Sequence, residues 1–350
     1  MKRVVLTIDY ELFLGNEPGT VEDCMIEPTE KLSSILEKNN SSMTVFWDIL
    51  HYYRLKELEK SYNELKQDRT LIENQILDLA QKGHDIQLHL HPHWFDAAYV
   101  NGKWEFSYGR FKLHNLSVEN NREDINTITG CITISKNLIE DLIRRVNPDY
   151  KVTSFRAGGY LIEPFGKIRD ALLKNEIRVD SSVCPGLQNN SEVSPYDFID
   201  YPAKTKYNFD LTPQKIVEYG NFFEVPITTI KLSGIRSIYF KILRKIKYSS
   251  LENERKGSGV GEIRKIKKKS EIERIINTII NSTLTQFTTD SSFKEKFDYL
   301  YKKSPEYATM ILHPKLLNRH TLKILDDYVT TNKIRFISIR DYINDEISLK

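Results

Sequence analysis

Four of the chain's eight histidines fall within one stretch, Gly83-His84-Asp85-Ile86-Gln87-Leu88-His89-Leu90-His91-Pro92-His93-Trp94. Alternate positions of an extended segment share a side, so His89 and His91, or His91 and His93, can meet on a strand. If the chain instead turns helically after Leu90, with Pro92 in the first turn, His89 and His93 meet. Either arrangement sets two neutral imidazoles on one ion, and imidazole suits zinc and its neighbours. A loop with surface histidines is the plainer reading, but the apolar run before His89 places the cluster at the end of a buried strand. Asp9 and Glu11 end another such run, Val4-Val5-Leu6-Thr7-Ile8. Being two apart they lean to one side while Tyr10 points away. Buried carboxylates there need a hydrogen bond, an ion pair or a metal.

The same pattern recurs. Arg156 follows the strand-like Val152-Thr153-Ser154-Phe155 and can grip a carboxylate through two N–H groups. Gly158 and Gly159, just after it, let the backbone approach a ligand closely. Asp180 ends Ile177-Arg178-Val179, and His313 ends the run from Tyr307 to Leu312. In closed (β/α) barrels the active face is built from the C-terminal ends of several strands.

The elements that must position these residues alternate. A helix is expected from Pro28 to Asn39, then a strand from Met43 to Ile49. A polar helix-forming stretch follows from Tyr52 to Lys66. Another helix starts at Asp68 as N-cap, with Gly83 as its C-cap. Strand-helix-strand alternation is the pattern of a parallel α/β sheet. Residues 95 to 118 form a long aromatic loop (Phe95, Tyr99, Trp104, Phe106, Tyr108, Phe111), able to stack on a sugar or to pack locally. A long helix is predicted from Ser117 to Arg145, another from Pro164 to Asn175, a loop over 185–220, and a strand from Phe222 to Ile227. Helices are also predicted at Ser270–Ser282, Ser291–Lys303 and Leu316–Val329, with a last strand from Ile334 to Ile339.

With 350 residues, 40% of them hydrophobic, the chain can form one large domain with an insertion at about 230–303. Net charge is +3, which points to no nucleic-acid partner. The three cysteines lack a CxxC spacing and read as reduced. The N-terminal apolar run is too short for a signal peptide and no stretch approaches a membrane span, so the expectation is a cytoplasmic protein. From Lys231 to Lys269 the chain is strongly basic. That stretch is a solvated insertion, or an electrostatic contact with a phosphate-bearing substrate, with an anionic membrane surface (at most peripherally) or, against the overall charge balance, with nucleic acid. Gly257-Ser258-Gly259-Val260-Gly261 within it is no phosphate loop, since no GK[ST] follows.

In order and spacing these motifs resemble the polysaccharide deacetylase family, carbohydrate esterases with a distorted (β/α) barrel of about seven strands. Thr7-Ile8-Asp9 resembles the first motif, whose first Asp is the general base. Gly83-His84-Asp85-Ile86 through His89 and His93 resembles the second, in which histidines four apart bind the metal. Phe155-Arg156-Ala157-Gly158-Gly159-Tyr160 resembles the third, whose Arg orients the base. Asp180-Ser181-Ser182 resembles the fourth, whose Asp supports the acid, and Leu312-His313-Pro314 the fifth, whose His is that acid. The match covers residues 1 to about 183 and 305 to 340, leaving the basic stretch unmatched.

Three positions depart from the pattern. Tyr10 stands where the family has a second, metal-binding Asp, so either Glu11 takes over as ligand or Asp9 is ligand rather than base. His91 is an extra histidine, and Gly158 stands where Pro is common. The resemblance implies metal-assisted removal of an N-acetyl group from a sugar, with Zn²⁺ the expected ion, held by His89, His93 and Glu11 or Asp9. Asp9, held by Arg156, would take the water proton, and a backbone N–H near Gly159 would face the oxyanion. His313, oriented by Asp180, would protonate the amine, and Trp94, Gly159 and Tyr160 would touch the sugar. The expected substrate is an N-acetylated sugar, on a nucleotide or lipid-diphosphate carrier, in surface-polysaccharide biosynthesis. The rivals are a glycosidase using Asp9 and Glu11, another C–N hydrolase, and a carbohydrate-binding relative without catalysis.

Overall fold

A computed structural model describes residues 1–249, 256–259, 282–290 and 292–347. Nine strands form one sheet: β1 (Lys2–Tyr10), β2 (Thr44–Asp48), β3 (Asp85–Leu90), β4 (Ser154–Ala157), β5 (Val179–Asp180), β6 (Tyr207–Phe209), β7 (Phe222–Glu224), β8 (Tyr307–Leu312) and β9 (Ile334–Ile337). Their order is β6-β7-β5-β4-β3-β2-β1-β8, and β9 also pairs with the start of β1. All pairings are parallel except β6 with β7. β1 is buried from Val4 through Tyr10, β2 and β3 throughout, as parallel strands covered on both faces must be.

The sheet curls, and the chain beyond β7 bridges back to β8. Beyond β7, Val225 N–H donates to Asp180 O and Ile227 N–H to Val183 O, at 2.9 Å each. Thr228 N–H then reaches Thr309 O on β8 (3.0 Å), and Ile311 N–H reaches Phe287 O (3.2 Å). An irregular seam thus links β7 to β8, and the ring β1-β2-β3-β4-β5-β7-β8 has the seven members expected of the distorted barrel.

Helices α1 (Glu27–Glu37), α2 (Ile49–Leu58), α3 (Asn63–Gln81), α4 (Ile128–Ile143), α5 (Gly166–Lys174), α6 (Gly234–Lys247), α7 (Lys294–Lys303), α8 (Arg319–Thr330) and α9 (Ile339–Ile347) accompany the strands. Gly83 ends α3 with φ +84°, the C-cap role expected of it. Asp68 is not an N-cap: α3 already begins at Asn63, and the polar stretch before it divides between α2 and α3. The helix expected from Ser117 starts only at Ile128, where Thr127 Oγ1 accepts from Gly130 N–H. The helix α9 and the strand β6 had not been expected.

Within the insertion, Thr229–Leu232 pairs antiparallel with Thr283–Gln286; α6 lies between these two segments in sequence and α7 follows them. Most of the stretch expected as a helix at Ser270–Ser282 lies outside the described residues. Ser258 pairs with the loop after β1: Gly15 N–H donates to Ser258 O at 2.9 Å and Ser258 N–H to Glu17 O at 2.7 Å. A Cβ on Gly257 would stand 2.5 Å from Glu17 O, so close backbone approach explains the glycine there. All three cysteines are free and buried.

Candidate functional site

Asp9 and Glu11 point into the mouth of the barrel, while the Tyr10 hydroxyl turns outward to Gln75 of α3 at 2.8 Å. This is the alternation expected of a strand end. Facing them across the sheet is β3. The chain stays extended through Leu90, and the helical turn begins only at Pro92. His89 and His91 therefore share a side, and His93 leaves it. Glu11 Oε2 lies 2.9 Å from His91 Nε2 and 3.4 Å from His89 Nε2, and the two Nε2 atoms are 3.1 Å apart. No well-aligned hydrogen bond satisfies Oε2, although both imidazoles lie close to it.

This convergence is what a cation site looks like from its ligand side. His89 Nδ1 faces Arg156 O at 2.9 Å, which fixes the ring and turns Nε2 toward His91 and Glu11. Glu11, His89 and His91 offer ligand atoms within 4.8 Å of one another, as do Asp9, Glu11 and His313. The donor set fits a divalent ion, through two imidazoles and carboxylate oxygen. His93, expected as a ligand, does not join: it is fully buried among Trp94, Phe106, Tyr108 and Phe111, with both ring nitrogens unpartnered. The structure thus separates His89 and His93 because the turn comes one residue later than that pairing needs.

Asp9 is held as expected. Arg156 Nη1 donates to its Oδ1 at 2.6 Å, Nη2 donates to Thr7 Oγ1 and Ser181 Oγ at 2.9 Å, and Nε donates to Ser181 O at 2.7 Å. Arg156 is completely buried and its guanidinium lies over the Phe46 ring at 4.2 Å. Burial alone would raise the Asp9 carboxyl, but Arg156, His89 and His313 outweigh it and hold Asp9 below the usual carboxylate range. Burial also opposes ionisation of Glu11, and Lys315 with His91 overrides it, pulling Glu11 well down. Lys315 Nζ donates to Glu11 Oε1 and Leu12 O at 2.7 Å each. Burial disfavours a proton on His89, yet Asp9 and Glu11 push it up to about 9, so the site draws positive charge.

His313 Nε2 is 3.5 Å from Asp9 Oδ2. Its Nδ1 faces Asp290 Oδ2 at 2.7 Å, and Asp290 Oδ1 accepts from the His313 backbone N–H at 3.1 Å. The partner of His313 is therefore Asp290, from the insertion, where the sequence had suggested Asp180. Asp180 instead accepts from Ser182 Oγ at 2.6 Å, and Ser182 Oγ accepts from Ala157 N–H, tying β5 to β4. Burial opposes protonation of His313, but Asp290 raises its pKa.

Trp94 has no exposed face for a sugar: it stacks on His51 at 4.4 Å, and its indole N–H donates to Asp48 Oδ2 at 2.7 Å. Trp104 and Phe111 are buried too, so this part of the aromatic loop packs locally. Gly159 and Tyr160 do reach the rim, both with left-handed backbone (φ +61° and +63°). For Tyr160 that is an uncommon conformation at the end of a site-bearing strand. A Cβ on Gly158 would stand 2.4 Å from Leu90 O and 2.7 Å from His91 Nδ1, so only glycine admits the His91 ring here.

Sequence reasoning missed Asp48 and Asp290. Asp48 ends β2 beside His89 in register, is fully buried, and its carboxyl is pushed up to about 6 by burial. The strand-end pattern could have found it. Asp290 carries no local signal. Beside the site a cleft of about 580 Å³ is lined by Lys31, Lys256, Lys315 and Arg319 together with Asp23 and Glu27.

No family model matches the sequence, and no curated protein does. The chain is similar to several solved structures at low identity. One is a 4-alpha-glucanotransferase from Thermococcus litoralis (10% identity, TM-score 0.45, 98% of this chain and 40% of that one). Others are a polysaccharide deacetylase from Bacillus cereus (9%, TM-score 0.36, 97% and 92%) and the peptidoglycan deacetylase PdaC from Bacillus subtilis (12%, TM-score 0.33, 99% and 92%). The chain spans less than half of the glucanotransferase.

Proposed function

We propose that the protein is a metal-dependent hydrolase that removes an N-acetyl group from a sugar. The observation that carries this reading is the juxtaposition of Glu11, His89 and His91 with an Arg156-held Asp9 and an Asp290-held His313. Glu11, His89 and His91 would hold a divalent ion, Zn²⁺ by ligand type. Such an ion supplies Lewis acidity toward water and an acyl oxygen.

The protein's own groups do the rest. Asp9, kept ionised by Arg156, takes a proton from water as its oxygen adds to the acetyl carbon. His313, kept protonated by Asp290, gives its proton to the sugar nitrogen as the C–N bond breaks, releasing acetate and the amine. A backbone N–H at the rim near Gly159 would face the oxyanion. Both strand-end carboxylates are held below their usual range, which suits neither for the protonated acid that a glycosidase needs. The substrate would be an N-acetylated sugar of surface-polysaccharide synthesis on a nucleotide or lipid diphosphate, its phosphates near the lysine-lined cleft.

Metal content of the purified protein, beside His89→Ala/His91→Ala and His93→Ala, tests this. About one divalent ion per chain is expected, lost in the double variant and kept in His93→Ala, together with acetate release from N-acetylated sugars. Absence of metal after zinc is supplied would sink the proposal.

A further inference from the structure

Helix α6 reads Gly-Ile-Arg-Ser-Ile-Tyr-Phe-Lys-Ile-Leu-Arg-Lys-Ile-Lys and holds no acidic residue. Its inner face is Gly234, Ser237 and Phe240, the last packed on Phe293 and Tyr299. A soluble helix would turn charge outward opposite that face. This one does not. Ile235, Tyr239, Ile242 and Ile246 are 76%, 46%, 53% and 78% exposed. At 3.6 residues per turn they fall within about 60° of arc, on the side away from the core. Ile238 and Leu243, half-buried, widen the stripe on its two sides. Lys241 and Lys245 flank one edge of it and Arg236 the other, where Lys247 is ion-paired with Glu295 at 2.7 Å.

We propose that α6 is an in-plane docking helix for an anionic lipid surface. The apolar stripe would enter the acyl boundary while the flanking cations meet the headgroups, the pattern of interfacial helices. The charge argues for lipid over a second copy of the chain, since face-to-face self-association would oppose two sets of like charges. The helix is too short to cross a bilayer, and among the described residues no helix is long and apolar enough to do so. Docking is independent of the reaction proposed above, although α6 belongs to the same insertion that supplies Asp290.

Flotation of the full-length protein with large unilamellar vesicles tests it, using phosphatidylcholine alone against equal parts phosphatidylcholine and phosphatidylglycerol. Binding is expected only to the anionic vesicles and weakens with salt. Ile242→Asp/Ile246→Asp should lower the partition coefficient roughly a hundredfold, with an unchanged thermal midpoint because both side chains are exposed. Ile235→Ser/Tyr239→Ser should weaken it less, without adding charge. No binding to anionic vesicles, or full binding by Ile242→Asp/Ile246→Asp, overturns the proposal. A wild-type dimer in sedimentation velocity that the same variant dissolves, without vesicle binding, would assign the stripe to self-association instead.

Discussion

Asp9 and Arg156 are each almost wholly out of water, so neither charge has solvent to turn to if the other is removed. Breaking such a pair strands a buried ion. Arg156→Met is expected to destabilise the fold by about 3–5 kcal/mol, read from urea unfolding. Asp290→Asn tests the other proton-handling group. It leaves the Glu11, His89 and His91 cluster intact, so metal content should hold while kcat falls roughly tenfold to a hundredfold. A variant with unchanged kcat would remove Asp290 from the mechanism. At this scale the sequence was legible wherever a residue ended an apolar run. Asp9, Glu11, His89, Arg156 and His313 announced themselves that way, and Asp48 obeyed the same rule unnoticed. Asp290 could not be seen, because its meaning lies in a contact made across the fold. His93 misled because its i+4 spacing from His89 becomes a shared face only if the chain turns helically directly after Leu90.

Strand ends do the positioning here, and backbone clearance decides which histidine reaches the site. His91 lies against Gly158 at the end of the neighbouring strand. Gly158→Ala should push the His91 ring aside, lowering metal affinity roughly tenfold or more by calorimetry while the far-ultraviolet circular dichroism stays native. Undiminished affinity would mean that His91 is not a ligand. Strands buried on both faces were legible as unbroken β-branched runs. Helix starts were read less well. Propensity carried the α4 expectation back to Ser117, whereas the cap at Thr127 and the polar stretch before it set the start at Ile128. The strand ending in Asp180 was legible from its apolar run, though only Val179 and Asp180 pair in the sheet, whereas the three-residue β6 is too short for any periodicity to reveal.

The molecule as a whole carries a pH response distinct from that of the site. Burial drives His51 down to about 3 and His84 down to about 4, and His93 well down too, with the His91 charge adding to burial. Unfolded, each returns to near 6.5 and takes up a proton that the folded chain refuses. Their stabilisation is complete above the unfolded pKa and is lost as pH falls below it toward the folded values, by up to about 1.4 kcal/mol per pH unit for each. His89 and His313, with raised pKa values, work in the opposite sense and lose their contribution on the alkaline side. Urea unfolding of His51→Asn between neutrality and about pH 5 should show a shallower acid decline than wild type; parallel curves would contradict this account. The barrel was legible as a class, but its closure was not, because β7 and β8 meet through irregular backbone. That seam has a mechanical consequence. The ring is fastened to β8 by Thr228, just before the insertion, and by Phe287 within it, and Asp290 follows three residues later. A pull on the insertion therefore bears first on the barrel's girth and, within one turn of chain, on the carboxylate that steadies the His313 ring.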